Sequence, residues 1–225
     1  MIINTYIVPC PHCGSVKRVA FSVRGRGVGD YVLWSDGRIE GNGWLEPAQI
    51  QQCPECGKFF LLPPRGTLRV EDQPGTDTGL LSYPSLKRAI SELSDNLLAE
   101  SWARLEAWWA YNALYNDTAD SDIPAEEREF NRANMQWLLE LHTRQAKWFS
   151  HLVFELNRLL GNRDVCERMI AERTYERYVS QRKERFAERG VTSTMDDKTL
   201  HEMYEWDMHD LTESLNRPLV PYIKK

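Results

Sequence analysis

The chain has 225 residues, 28 of them Lys or Arg and 33 Asp or Glu, for a formal net charge of −5. That balance excludes a wholly basic protein of the kind that binds phosphate backbones without regard to sequence. Five Cys in a chain of this length exclude the dense disulfide framework of a small secreted domain.

Taken in chain order, residues 1–9 lack the basic start and long apolar run of a signal peptide. No stretch approaches the ~18 apolar residues of a membrane helix, so the expectation is a cytoplasmic protein with no membrane partner. Two copies of one word follow, Cys10-Pro11-His12-Cys13-Gly14 and Cys53-Pro54-Glu55-Cys56-Gly57. A Cys-x-x-Cys turn aims two thiolates inward, and two such turns supply the four ligands of a closed tetrahedral zinc site. The Gly after each second Cys permits a left-handed residue, and the Pro after each first Cys fixes φ. Cys10, Cys13, Cys53 and Cys56 are therefore the expected ligands of one structural Zn²⁺. With four thiolates at hand, His12 is surplus and reads as an exposed turn residue.

Between the two words, residues 17–24 alternate as a strand, with Val19, Phe21 and Val23 on one face. Residues 31–34 and 38–40 flank Ser35-Asp36-Gly37, and Asp-Gly between strands signals a hairpin. Residues 58–62 give one more strand, stopped by Pro63-Pro64. Knuckle, strands, hairpin, knuckle and strand resemble the layout of a zinc ribbon over residues 1–65. From Pro63 to Pro84 the chain carries four prolines and three glycines without periodicity, so residues 66–84 read as a linker.

Residues 85–217 read as an all-α bundle of about five helices. Their expected spans are 85–115, 124–142, 146–160, 164–189 and 195–215, with residues 218–225 as a tail. The fold class is accordingly α+β, a small N-terminal β zinc ribbon followed by a helical body. Within that body, Trp148-Phe149, Leu152, Glu155-Leu156, Leu160-Gly161, Cys166 and Met169-Ile170 are spaced like the helix-turn-helix unit of tetratricopeptide-like repeats. The resemblance covers about one repeat and implies stacked helical hairpins with Cys166 in the small position of the second helix. A ribbon joined to such a body also resembles bacterial zinc-ribbon proteins that carry two Cys-Pro-x-Cys-Gly words around a Trp-Ser-Asp-Gly hairpin. That resemblance implies an architecture and no activity.

Other chemistry is thin. Residues 1–66 hold seven basic and five acidic residues, the remainder 21 and 28. Lys17, Arg18, Arg24, Arg26 and Arg38 are the cations of the ribbon that a nucleic acid could use, whereas Arg182-Lys183-x-Arg185, interleaved with Glu184 and Glu188, reads as a solvated face. The Gly25-x-Gly27-x-Gly29 run lacks the following helix of a dinucleotide fingerprint and reads as a hairpin loop. Trp108 and Trp109 cannot both point inward on one narrow helical stripe, which makes them the candidate partner surface. His201, Glu205 and His209 fall on one helix face, but Met203, Trp206 and Leu211 make that helix an ordinary amphipathic one. With no nucleophile–base constellation in view, the expected function is a non-enzymatic zinc protein that docks on another protein. The alternative is nucleic-acid binding through the ribbon.

Overall fold

A computed structural model describes residues 3–22, 31–37, 39–41, 48–64, 67–71, 79–147, 150–188, 195–217 and 223–224. Small strands come first and helices after, the α+β arrangement expected. The chain forms two compact units, one of residues 1–134 with 222–225 and one of residues 135–221. The division falls well beyond residue 85, because strands and early helices share a core.

In the first unit each Cys word is the turn of a β-hairpin. β1 (Ile3–Pro9) pairs antiparallel with β2 (Val16–Ser22), closing with Pro9 opposite Val16 around the first word. β5 (Ile50–Gln52) pairs with β6 (Phe59–Leu61), closing with Gln52 opposite Phe59 around the second. Between them β3 (Tyr31–Trp34) pairs with β4 (Ile39–Gly41) as the Asp-Gly signal predicts. Gly37 closes that turn at φ +83°, donating its N–H to the Trp34 carbonyl at 3.0 Å. Part of the expected linker is a strand: β7 (Arg69–Glu71) pairs with the free edge of β1. β8 (Ile223–Lys224) pairs with β3.

Helices α1 (Tyr83–Glu92) and α2 (Leu97–Tyr115) replace the single helix expected over 85–115. Ser94-Asp95-Asn96 breaks it, and the Asn96 carboxamide oxygen caps α2 by accepting the Ala99 N–H at 3.1 Å. α1 and α2 meet through small residues, Ala89 against Ala103 and Ala107, all with no exposed surface. Small side chains let two helices approach closely, and Tyr83 belongs to the same core, its ring edge-on to Tyr111 and Phe130. Consecutive side chains of a strand point to opposite faces, and β6 uses this to serve two cores. Phe59 joins Ile50 in the helical core, whereas Phe60 joins Val8, Val19 and Leu62 around Cys10 and Cys53.

Glu106 of α2 fastens this seam. Its carboxylate accepts the backbone N–H groups of Gln49 and Ile50, ahead of the second Cys word. Burial raises its pKa from 4.5 to about 7, although the two N–H groups pull the other way. Folding thus raises this pKa, and the native state holds the extra proton between about pH 4.5 and 7. Stability from this group declines as pH rises through that window and levels off above it. Glu106→Gln has no such slope, so between about pH 5 and 8 the stability difference should move toward the variant by up to about 3 kcal/mol. Parallel urea midpoints at both pH values would show that the carboxyl stays ionised.

α3 (Ala125–Gln145) gives its first half to the first unit and its second half to the other. The second unit continues with α4 (His151–Leu159), α5 (Arg163–Ala171), α6 (Tyr175–Glu188) and α7 (Asp197–Ser214). α4 and α5 form a helical hairpin around Gly161 at φ +81°. Cys166 is buried in it beside Phe154 and Leu211, the small apolar role expected. Trp148 and Phe149 lie outside the described residues. The expected helix over 164–189 is two, because Thr174 starts α6 by accepting the Arg177 N–H at 3.3 Å.

Candidate metal centre

The two Cys words share the same backbone hydrogen bonds. In each, the first Cys carbonyl accepts the N–H of the left-handed Gly: Gly14 to Cys10 at 2.9 Å and Gly57 to Cys53 at 3.0 Å. The first Cys N–H then reaches across the turn, to Ser15 at 2.8 Å and to Lys58 at 3.0 Å. This leaves Cys10 and Cys53 buried and Cys13 and Cys56 on the outer side. The two turns face each other, so that every sulfur lies within 4.8 Å of the other three.

The cross-turn distances are Cys10 to Cys56 at 3.8 Å and Cys13 to Cys53 at 3.6 Å. Thiolates ~2.3 Å from a tetrahedral ion stand ~3.8 Å apart along each edge. The four Cys are therefore positioned to hold a metal ion. Backbone N–H groups support the sulfurs from outside, His12 to Cys10 and Cys56 to Cys53, both at 3.4 Å. The His12 ring turns away and pairs with the Phe59 carbonyl at 3.2 Å.

Electrostatics point the same way. The Cys56 N–H, aided by the Ser15 hydroxyl, brings the Cys53 thiol down to about 6. The Ser15 hydroxyl and N–H also lower Cys13. Cys56 ends high, at about 11: the Lys58 N–H pulls it down, but burial and the Cys53, Cys13 and Cys10 sulfurs outweigh that. Four sulfurs this close resist ionising together unless a cation sits among them. Among the described residues this is the one cluster of His, Cys, Asp or Glu fit for a metal. His201 reaches Glu205 at 3.7 Å, but His209 pairs with Glu213 at 3.5 Å, so the three do not converge.

The other candidates land elsewhere. Lys17 and Arg18 lie on β2, half-buried and exposed respectively, whereas Arg24, Arg26 and Arg38 lie outside the described residues. Trp108 is no partner surface: it is 0% exposed. Trp109 is half-buried and spends its indole N–H on the Asp36 carbonyl at 3.0 Å. Asn112 holds the Asp36 carboxylate at 2.7 Å, so the tip of the β3–β4 hairpin is fixed to α2. Sequence reasoning placed Asp36 in a turn and passed over its anchoring role, for which a buried Asn one turn along α2 is the partner. Among the described residues no helix is long and apolar enough to cross a membrane. No protein-family model matches the chain, and neither a curated protein nor a solved structure is similar to it.

Proposed function

We propose that this is a non-enzymatic zinc protein whose Zn²⁺ is structural and whose helical hairpins serve as a docking module for another protein. One observation carries the reading: four converging Cys use every position of a tetrahedral ion, leaving none for a substrate. Four thiolates without a nitrogen or oxygen donor favour zinc over magnesium or calcium. The α4–α5 hairpin, with Cys166 in its interior, supports reading the helices as tetratricopeptide-like. With Trp108 buried, the surface that α2 offers to a partner is aliphatic: Leu97, Leu98 and Leu114 are each more than half exposed.

The test pairs metal analysis with crosslinking. One zinc per chain is expected, together with a defined partner crosslinked through a photoreactive residue at Leu98. That crosslink should be lost in Leu97→Asp/Leu98→Asp, a change to exposed positions that leaves the core intact. Nucleic-acid binding through the ribbon, with Lys17 and Arg18 as its described cations, is the second reading. Salt-dependent RNA or DNA binding abolished by Lys17→Glu/Arg18→Glu would replace the first reading with it.

A further inference from the structure

In the second unit α6 and α7 present two faces to one cavity of about 330 Å³. On α6 the lining residues Tyr178, Gln181, Arg182, Arg185 and Phe186 recur at three- and four-residue steps, one face of a helix. On α7, Met203, Trp206 and Asp207 do the same. His151 at the start of α4 and Arg173 ahead of α6 complete the wall.

The wall is cationic in an acidic protein. Three arginines line it against one carboxylate, Asp207, among the described residues. That carboxylate is already engaged: Arg173 grips it with two nitrogens, and His151 Nε2 meets its other oxygen at 3.1 Å. Arg182 is held in place without a carboxylate. Its guanidinium lies 5.8 Å from the ring centres of both Tyr178 and Phe186, and one nitrogen donates to the Tyr178 hydroxyl at 3.0 Å. Its Nε is buried and meets no acceptor. A buried donor without a partner is costly, and an anion entering the cavity would satisfy it. Trp206 adds a second chemistry, an indole left 58% exposed although it lines the cavity. Exposed indole beside fixed arginines suits a ligand with a flat ring and a phosphate.

We propose that this cavity binds a nucleoside monophosphate, with Arg182 and Arg185 on the phosphate and Trp206 stacked on the base. The volume lies at the small end of ligand pockets, which suits a mononucleotide and excludes a dinucleotide cofactor. The site is independent of the four Cys and of any protein partner.

Titration calorimetry of the intact, metal-loaded protein tests it, with AMP, adenosine and inorganic phosphate as probes. AMP should bind saturably, phosphate should compete with it, and adenosine should bind at least about tenfold more weakly than AMP. Trp206→Ala should weaken AMP about tenfold and leave phosphate competition unchanged, while Trp206→Phe restores most of the loss. Arg185→Gln, at an exposed position, should weaken both AMP and phosphate. The assignment is overturned if AMP gives no saturable heat at millimolar concentration. It is equally overturned if adenosine matches AMP, or if AMP affinity survives both Trp206→Ala and Arg185→Gln in proteins of native circular dichroism.

Discussion

Cys10→Ser and Cys53→Ser should each abolish stoichiometric metal and open the first unit. A serine hydroxyl stays protonated at neutral pH and is a poor replacement for a thiolate on a soft site. The binding free energy of a structural zinc, ~10–16 kcal/mol in small zinc domains, is as large as the whole stability of an ordinary domain. The loss cannot stay confined to the two knuckles. Cys53 lies between Ile50 and Phe59, and both of these sit in the core that α1 and α2 share. Glu106 ties α2 to the backbone just before them. Hydrogen exchange should therefore lose protection in β1, β2, β5 and β6 and rise along α1 and α2. Helices α4 to α7, with a core of their own around Phe154, Cys166 and Leu211, should stay protected. Full metal content in either variant would show that the substituted Cys is not a required ligand. Unchanged protection of α1 and α2 would show that these helices stand without the ribbon. Lost protection throughout would make the chain one cooperative unit.

Legibility in the sequence followed the range of the interaction that fixes each feature. The metal ligands were readable because each pair is set by a five-residue word, and the convergence of two like words needs no further information. The β3–β4 hairpin was readable for the same reason, since Asp36-Gly37 selects its turn locally. β5 was not. Its Ile50-Gln51-Gln52 is mostly polar, yet Gln51 is fully buried opposite Phe60 and spends an amide N–H on the Ala48 carbonyl at 2.6 Å. The break before α2 was hidden by a continuing apolar rhythm through Leu93, Leu97 and Leu98. The turn at Ser94-Asp95-Asn96 resets the helical phase, which puts Leu97 and Leu98 in water at 54% and 59% exposure. Ala99, Ala103 and Ala107 face inward instead, and a stripe of alanines is faint beside tryptophans. That phase buries Trp108 and leaves Trp109 to the hairpin. The cavity between α6 and α7 was out of reach altogether, since no spacing along one helix says which face of another it meets.

Glu155→Ala should cost the second unit about 3–5 kcal/mol, more than any loss of apolar contact at that site would explain. Residues 153–158 of α4 are all buried, so the chain carries a Glu and an Arg into the interior of its own hairpin. They survive there by pairing bidentately: Arg158 Nε and Nη2 donate to the two Glu155 oxygens, each at 2.8 Å, with the side chains 2% and 4% exposed. Removing the carboxylate takes a bidentate charged partner from a guanidinium that is only 2% exposed, and that loss of charge compensation in the interior sets the size of the effect. Removing both charges leaves none uncompensated. Glu155→Leu/Arg158→Met keeps volume and discards the pair, and should recover most of the stability, because a buried ion pair contributes little net against an apolar replacement. Cys166 provides a readout specific to this unit. Burial, then the Glu155 charge, push its thiol up to about 11, so it should react with a thiol reagent only when the hairpin opens. With the four metal-site Cys protected by zinc, labelling of Cys166 should accelerate in Glu155→Ala and return toward the parent rate in the double variant. Equal labelling in parent and Glu155→Ala would mean that water already reaches the pair, and a double variant no better than the single one would mean that the pair itself specifies the packing of α4.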